Sequence, residues 1–155
     1  MSAWWADPQI LALLGPALAD LHVLPSSSLV ISPSATGFLL GPLTAIPLNA
    51  GFVEMRRDAA NEKTNEDAFL LRSTPPDYLS RTITWQVRRR ALRPGVPVLF
   101  VDDWVETAAT ARTARRLVVD SGAVWAGAAA IVDATSGQTR HELRLRTLLH
   151  HRELG

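Results

Sequence analysis

At 155 residues the chain suits one domain, residues 1–155, burying roughly two-thirds of the surface its unfolded form would expose. A hydrophobic share of 47% and a charged share of 20% exclude disorder and fibrous repeats. Sixteen Lys and Arg nearly cancel fifteen Asp and Glu, so no global field selects nucleic acid or an anionic membrane as a partner.

All the basic residues except Lys63 are arginines, side chains suited to bidentate contacts with phosphate or carboxylate. The absence of cysteine removes disulfide and thiolate chemistry and fits a cytoplasmic location. Met1–Asp7 carries no basic residue, so it does not read as a secretory signal. The apolar stretches are too short, and too interrupted by Pro and Gly, to span a bilayer.

In chain order, Asp7-Pro8 predicts a helix start, with Ile10, Leu11, Leu13 and Leu14 giving an apolar face. Gly15-Pro16 should kink or split that helix, leaving Ala17–His22 as a second short one. Leu29–Ile31 is a continuous apolar run, expected of a strand covered on both faces. Ser32–Gly37 is turn chemistry, Phe38–Ala45 a helix and Ala50–Met55 a second strand. Arg56–Asp67 has no apolar residue larger than alanine and predicts a mobile loop. Ala68–Arg72 and Arg81–Val87 read as strands around the Ser73–Asp77 turn. Strand Val96–Val101, helix Thr110–Val119 and strand Val124–Val132 follow, and Arg140–Leu154 closes the domain. The class is α/β, with a mainly parallel central sheet flanked by helices.

The chemistry concentrates in Val98–Asp133, a βαβ unit whose first strand should end in the adjacent carboxylates Asp102 and Asp103. In open parallel sheets ligands bind beyond the carboxyl ends of the strands. Thr107-Ala108-Ala109-Thr110 follows at a helix N-terminus, where unpaired N–H groups and the dipole favour a phosphate. Two carboxylates for vicinal hydroxyls, just before a phosphate cradle, suit a ribose 5-phosphate. A capped strand–helix turn with its acidic residues facing solvent would show the same spacing.

This stretch resembles the phosphoribosyl pyrophosphate motif of type I phosphoribosyltransferases: four apolar residues, two acidic, a short spacer, then a Thr-Gly-Gly-Thr-like turn. The resemblance implies that Asp102 and Asp103 engage the ribose hydroxyls while Thr107, Ala108, Ala109 and Thr110 bind the 5-phosphate. Ser32–Gly41 is similar to the pyrophosphate loop and following helix of adenine phosphoribosyltransferases, which offers Ser34, Ala35 and Thr36. Gly51–Arg57 is similar to their strand leading into a mobile loop, which adds Arg56 and Arg57. Ala91–Gly95 is similar to the turn before the motif strand, and Gly137–Leu149 to the C-terminal closing segment. The resemblance covers roughly residues 29–149 and implies a purine-type nucleobase transferase. Phosphoribosyl pyrophosphate and a nucleobase would be its partners, with Mg²⁺ as cofactor, pyrophosphate as leaving group and a homodimer as the assembly.

Several positions depart from the family pattern. Ala108 and Ala109 stand for glycines, Thr36 for an arginine, the Gly-Lys-Leu-Pro loop signature is missing, and the N-terminal hood is shortened. These departures keep open the alternative of a non-catalytic binding or regulatory protein with the same pocket. Glu106, directly before Thr107, stands where 6-oxopurine enzymes carry an aspartate, which implies acid–base work beside the base. A dipole-favoured glutamate at a helix start is the plainer reading, and repulsion from a phosphate should turn it away from that pocket. Trp104 could border the base, and Lys63 could reach pyrophosphate. Arg88-Arg89-Arg90 reads as a solvated helix face. His141, His150 and His151 lack ligand spacing, so no protein metal site is expected.

Overall fold

The computed structural model describes residues 4–58, 68–77 and 79–155. The first helix, α1 (Pro8–Ala19), starts as its sequence predicts. Asp7 caps it by accepting the Gln9 and Ile10 N–H groups at 2.8 and 3.2 Å, with proline at the first position. The split expected at Gly15-Pro16 does not occur, and the helix runs unbroken to Ala19. Gly15 serves packing instead. A Cβ there would lie 2.1 Å from the Leu43 carbonyl oxygen, so only glycine lets α1 cross so close to the next helix.

Strand β1 (Leu29–Pro33) is buried along its whole length, then come α2 (Gly37–Ala45) and β2 (Gly51–Arg57). An antiparallel pair, β3 (Phe69–Ser73) and β4 (Thr84–Arg88), precedes β5 (Pro97–Val105) and α3 (Ala109–Asp120). The chain ends through β6 (Val124–Asp133), α4 (Gly137–Leu143) and β7 (Leu145–His150). The seven strands form one sheet in the order β3-β4-β2-β1-β5-β6-β7, parallel from β2 to β7 and antiparallel where β4 joins β2 and β3.

The core has two halves. Leu14, Leu18 and Leu40 from α1 and α2 pack on Val30, Leu99, Val101 and Ile131. Ala114, Leu117 and Val118 from α3 pack with Phe100, Ala128 and the β4 residues Trp85 and Val87. Complete burial of a residue such as Leu117 contributes about 2 kcal/mol. Among the described residues no helix is long and apolar enough to cross a membrane.

Three expectations change in detail. Strand β5 runs on to Val105 rather than stopping at Val101, because Asp102 and Trp104 continue the ladder opposite Ala130 and Val132. Arg56 and Arg57 belong to β2, not to a loop, and residues 59–67, with Lys63, lie outside the described residues. Arg88 ends β4 with its guanidinium 5.3 Å over the Phe69 ring, and 89–91 form only one 3-10 turn, so no helix face is built there. The closing segment becomes α4 and the parallel edge strand β7.

Candidate active site

Strand β1 has β2 on one side and β5 on the other, so the crossovers β1–α2–β2 and β5–α3–β6 run in opposite directions and the sheet changes winding between β1 and β5. Such a switch point opens a crevice at the carboxyl ends of the strands. Pairing between β1 and β5 stops at Ile31 and Phe100, whereas β5 continues five residues beyond on β6. Asp102 and Asp103 therefore lie just past the last rung, on the open flank of β5.

A cleft of about 270 Å³ occupies that opening, lined by the Pro33–Gly37 loop, Arg57, Trp85, Asp102, Asp103 and Thr110. The Ser34 N–H donates to Met55 O at 2.9 Å, pinning the loop to β2. Gly37 permits the sharp entry into α2, since a Cβ there would sit 2.8 Å from Pro33 Cδ. Thr36 makes no side-chain capping bond, so its hydroxyl is not committed to the α2 terminus. Burial first, and then repulsion from Asp103, push the Asp102 carboxyl well above the usual carboxylate range; the Asp103 N–H, 2.9 Å away, opposes the shift.

The phosphate turn opens a second cleft of about 200 Å³ that shares Asp102 and Thr110 with the first. Trp104 and Glu106 line it together with Thr107, Ala108 and Ala109. Glu106, expected from phosphate repulsion to turn away from this pocket, is part of its lining. Ala108 adopts the left-handed conformation, φ 59° and ψ 14°, directly before α3. Ala109 is the first helical residue, so only one of the two family glycines has been replaced at a position that favours glycine. Among the described residues no protein acceptor takes the Ala108 N–H.

Strand alternation separates the two arginines of β2. Arg57 points into the cleft, with its guanidinium 5.5 Å above the Trp85 ring. Arg56 lies on the opposite face, over Phe38 at 5.2 Å and paired with Glu54 at 2.7 Å. Its assignment to the substrate site is corrected accordingly, because a period of two cannot place neighbours on one face. Ser34, Ala35, Thr36, Arg57, Asp102, Asp103, Glu106 and Thr107–Thr110 are brought together.

No protein-family model matches the chain. The adenine phosphoribosyltransferase of Acidobacterium capsulatum is 32% identical over 154 residues, which span 95% of this chain and 80% of that protein. The chain belongs to the adenine phosphoribosyltransferase family. It is thus an enzyme of the phosphoribosyltransferase class. The Ralstonia nicotianae adenine phosphoribosyltransferase is also 32% identical, over 82% of this chain and 61% of its own length. The crystal structure of the Rhodothermus marinus adenine phosphoribosyltransferase matches with a TM-score of 0.79 at 29% identity, covering 95% of this chain and 82% of that one. The one from Thermoanaerobacter pseudethanolicus shares the fold, with a TM-score of 0.82 at 22% identity and coverage of 96% and 85%.

Other residues border the site without a signal in the sequence. The connection from β3 to β4 folds into a wall of Thr74, Pro75, Pro76 and Arg81 beside Thr107 and Thr110, around a cleft of about 800 Å³. Asp77 organises that wall, its Oδ1 accepting the Leu79 and Arg81 N–H groups at 2.8 and 2.9 Å. Arg112 also reaches the turn, its Nη1 donating to the Thr107 carbonyl at 3.1 Å.

Proposed function

We propose that this chain transfers the 5-phosphoribosyl group of phosphoribosyl pyrophosphate to a ring nitrogen of a purine base, adenine by its relatives' name, releasing pyrophosphate. The observation that carries this reading is the joint lining of two connected clefts by Asp102, Asp103, the 107–110 turn and Arg57. Asp102 and Asp103 accept hydrogen bonds from the ribose hydroxyls. Thr107, Ala108, Ala109 and Thr110 hold the 5-phosphate on main-chain N–H groups at the α3 terminus. Ser34, Ala35, Thr36 and Arg57 take the pyrophosphate, whose departure needs donors placed where charge develops.

In the reaction the bond from the sugar C1 to the pyrophosphate oxygen breaks and a bond from C1 to the base nitrogen forms. The ring N–H proton must leave, and in this reading Glu106, in the lining beside the 107–110 turn, accepts it. Among the described residues no cluster of three or more His, Asp or Glu could hold a metal ion by itself. Two adjacent carboxylates in a cleft fit Mg²⁺ nonetheless, since this ion commonly takes one or two carboxylates plus substrate phosphates. When bound it would neutralise charge on the pyrophosphate.

We also propose that residues 1–155 act as one domain within a cytoplasmic homodimer. Ile10, Leu13, Leu39 and Ile46 leave large apolar side chains exposed on the α1–α2 layer, which supports the pairing of two copies. The deciding experiment is calorimetry with phosphoribosyl pyrophosphate and Mg²⁺, followed by pyrophosphate release with adenine, hypoxanthine, guanine and uracil. Adenine-dependent release is expected. Failure to bind the sugar donor at millimolar concentration would overturn the proposal.

A further inference from the structure

Arg112 has no part in the scheme above, yet its guanidinium joins the phosphate turn to α4. One arm, Nη1, donates to the Thr107 carbonyl at 3.1 Å. The other, Nη2, donates to Thr139 Oγ1 at 3.1 Å and to Glu142 Oε2 at 3.0 Å, and Nε lies 3.2 Å from the same carboxylate oxygen. Thr139 is itself fixed, its N–H donating to the Ser136 hydroxyl that caps α4. A planar guanidinium braced on two α4 side chains thus presents its remaining arm to the turn, a geometry lysine cannot reproduce.

The gripped carbonyl belongs to the peptide bond that matters most in the turn. In a planar trans peptide the C=O and N–H point in opposite directions. Anchoring Thr107 O on Arg112 therefore directs the Ala108 N–H away from Arg112. Rotating this peptide by half a turn would reverse the N–H and carry φ of Ala108 from 59° to a negative value. That is the direction in which alanine relaxes, because its Cβ disfavours the left-handed region. With glycine at 108 the observed orientation would need no such restraint.

We propose that Arg112 is a positioning residue: braced by Glu142 and Thr139, it holds the Thr107–Ala108 peptide so that the Ala108 N–H is offered to the 5-phosphate. The inference rests on the reading of residues 107–110 as the phosphate turn.

The test titrates ribose 5-phosphate by calorimetry and measures KM and kcat for phosphoribosyl pyrophosphate. Wild type is compared with R112M, R112K, E142Q, A108G and A108G/R112M, with R116M, an exposed arginine on the same helix, as control. R112M should weaken ribose 5-phosphate about tenfold and raise KM in step, with kcat within about twofold, the effect of one lost positioning hydrogen bond. R112K should behave like R112M, R116M like wild type, and A108G/R112M should recover to within about threefold of A108G. If R112M does not fold, E142Q carries the test, with about threefold weakening expected. Wild-type affinity in R112M or E142Q, full retention in R112K, or no recovery on adding glycine would overturn the proposal. A wild type that binds no ribose 5-phosphate would overturn the phosphate turn itself, and is told apart because every variant would then be equally silent.

Discussion

Oδ1 of Asp102 accepts the main-chain N–H of Asp103 at 2.9 Å, so the first carboxylate of the pair has one oxygen committed to its neighbour. That single donor does not offset burial and the adjacent charge, and the Asp102 carboxyl stays well above its ordinary range. As pH rises past the ordinary carboxylate value, about 3.9, the unfolded chain loses this proton first. The folded state then holds more protons, so stability falls with pH until the raised folded value is passed. Asp102→Asn cannot titrate and should unfold at a higher temperature than wild type at neutral pH. The gap should close as pH falls towards the ordinary value and below it. Thermal melts of both proteins from pH 3 to 8 check this, and parallel curves would count against it.

Asp103 lines the same cleft, so its neutral variant tests the ligand contact directly. Asp103→Asn should weaken a 5-phosphoribosyl ligand by about 1.5–3 kcal/mol, the range for a hydrogen bond to a charged acceptor. Calorimetry with ribose 5-phosphate measures it. Unchanged affinity would place the ribose hydroxyls elsewhere.

The two alanines of the phosphate turn should respond to glycine with opposite signs. Ala108 is left-handed, so Ala108→Gly relieves about 1 kcal/mol and should raise the melting temperature by about 2–4 °C. Ala109 begins α3 in right-handed geometry, and Ala109→Gly should cost about 0.5–1 kcal/mol. Equal shifts in both variants would show that backbone conformation does not govern the turn.

Periodicity and turn chemistry made most of the fold legible. The Leu29–Ile31 run, the 3.6-residue pattern of Thr110–Val119 and the capped start at Asp7-Pro8 all became the elements expected. The acidic pair and the Thr107–Thr110 turn were legible because one strand, one turn and one helix carry them, so sequence spacing nearly equals spatial spacing. Arg56 was misplaced because the run RRDAANEKTNED looks polar throughout, which hides the strand alternation continuing through Arg57. Arg112 was missed for another reason. Its partners Thr139 and Glu142 lie on α4, and only the fold brings that helix back to the turn. Gly15 misled because glycine before proline signals a break, whereas here its missing Cβ admits the Leu43 backbone.

The split of β2 gives a direct comparison between neighbouring arginines. Arg57→Met removes the one β2 cation in the cleft and should weaken pyrophosphate, measured by product inhibition, by about tenfold or more, as for a charged hydrogen-bonding partner. Arg56→Met removes a pair on the far face and should leave pyrophosphate inhibition unchanged. The reverse pattern would return Arg56 to the site.

Glu106 is the residue whose removal separates proton transfer from sugar binding. It is exposed, lines the cleft with Trp104 and Thr107, and is the carboxylate nearest in sequence to the phosphate turn. If it accepts the ring proton, Glu106→Gln should lose about 10²–10⁴-fold in kcat. Affinity for ribose 5-phosphate should change little, or improve slightly, because a negative charge beside the phosphate is gone. A glutamate acting only on the helix dipole would instead alter stability by about 1 kcal/mol or less and leave turnover in place. Steady-state rates with adenine from pH 5 to 9, set beside calorimetry on the same two proteins, distinguish these outcomes. Matching rates at every pH would take Glu106 out of the reaction and leave the base proton to solvent.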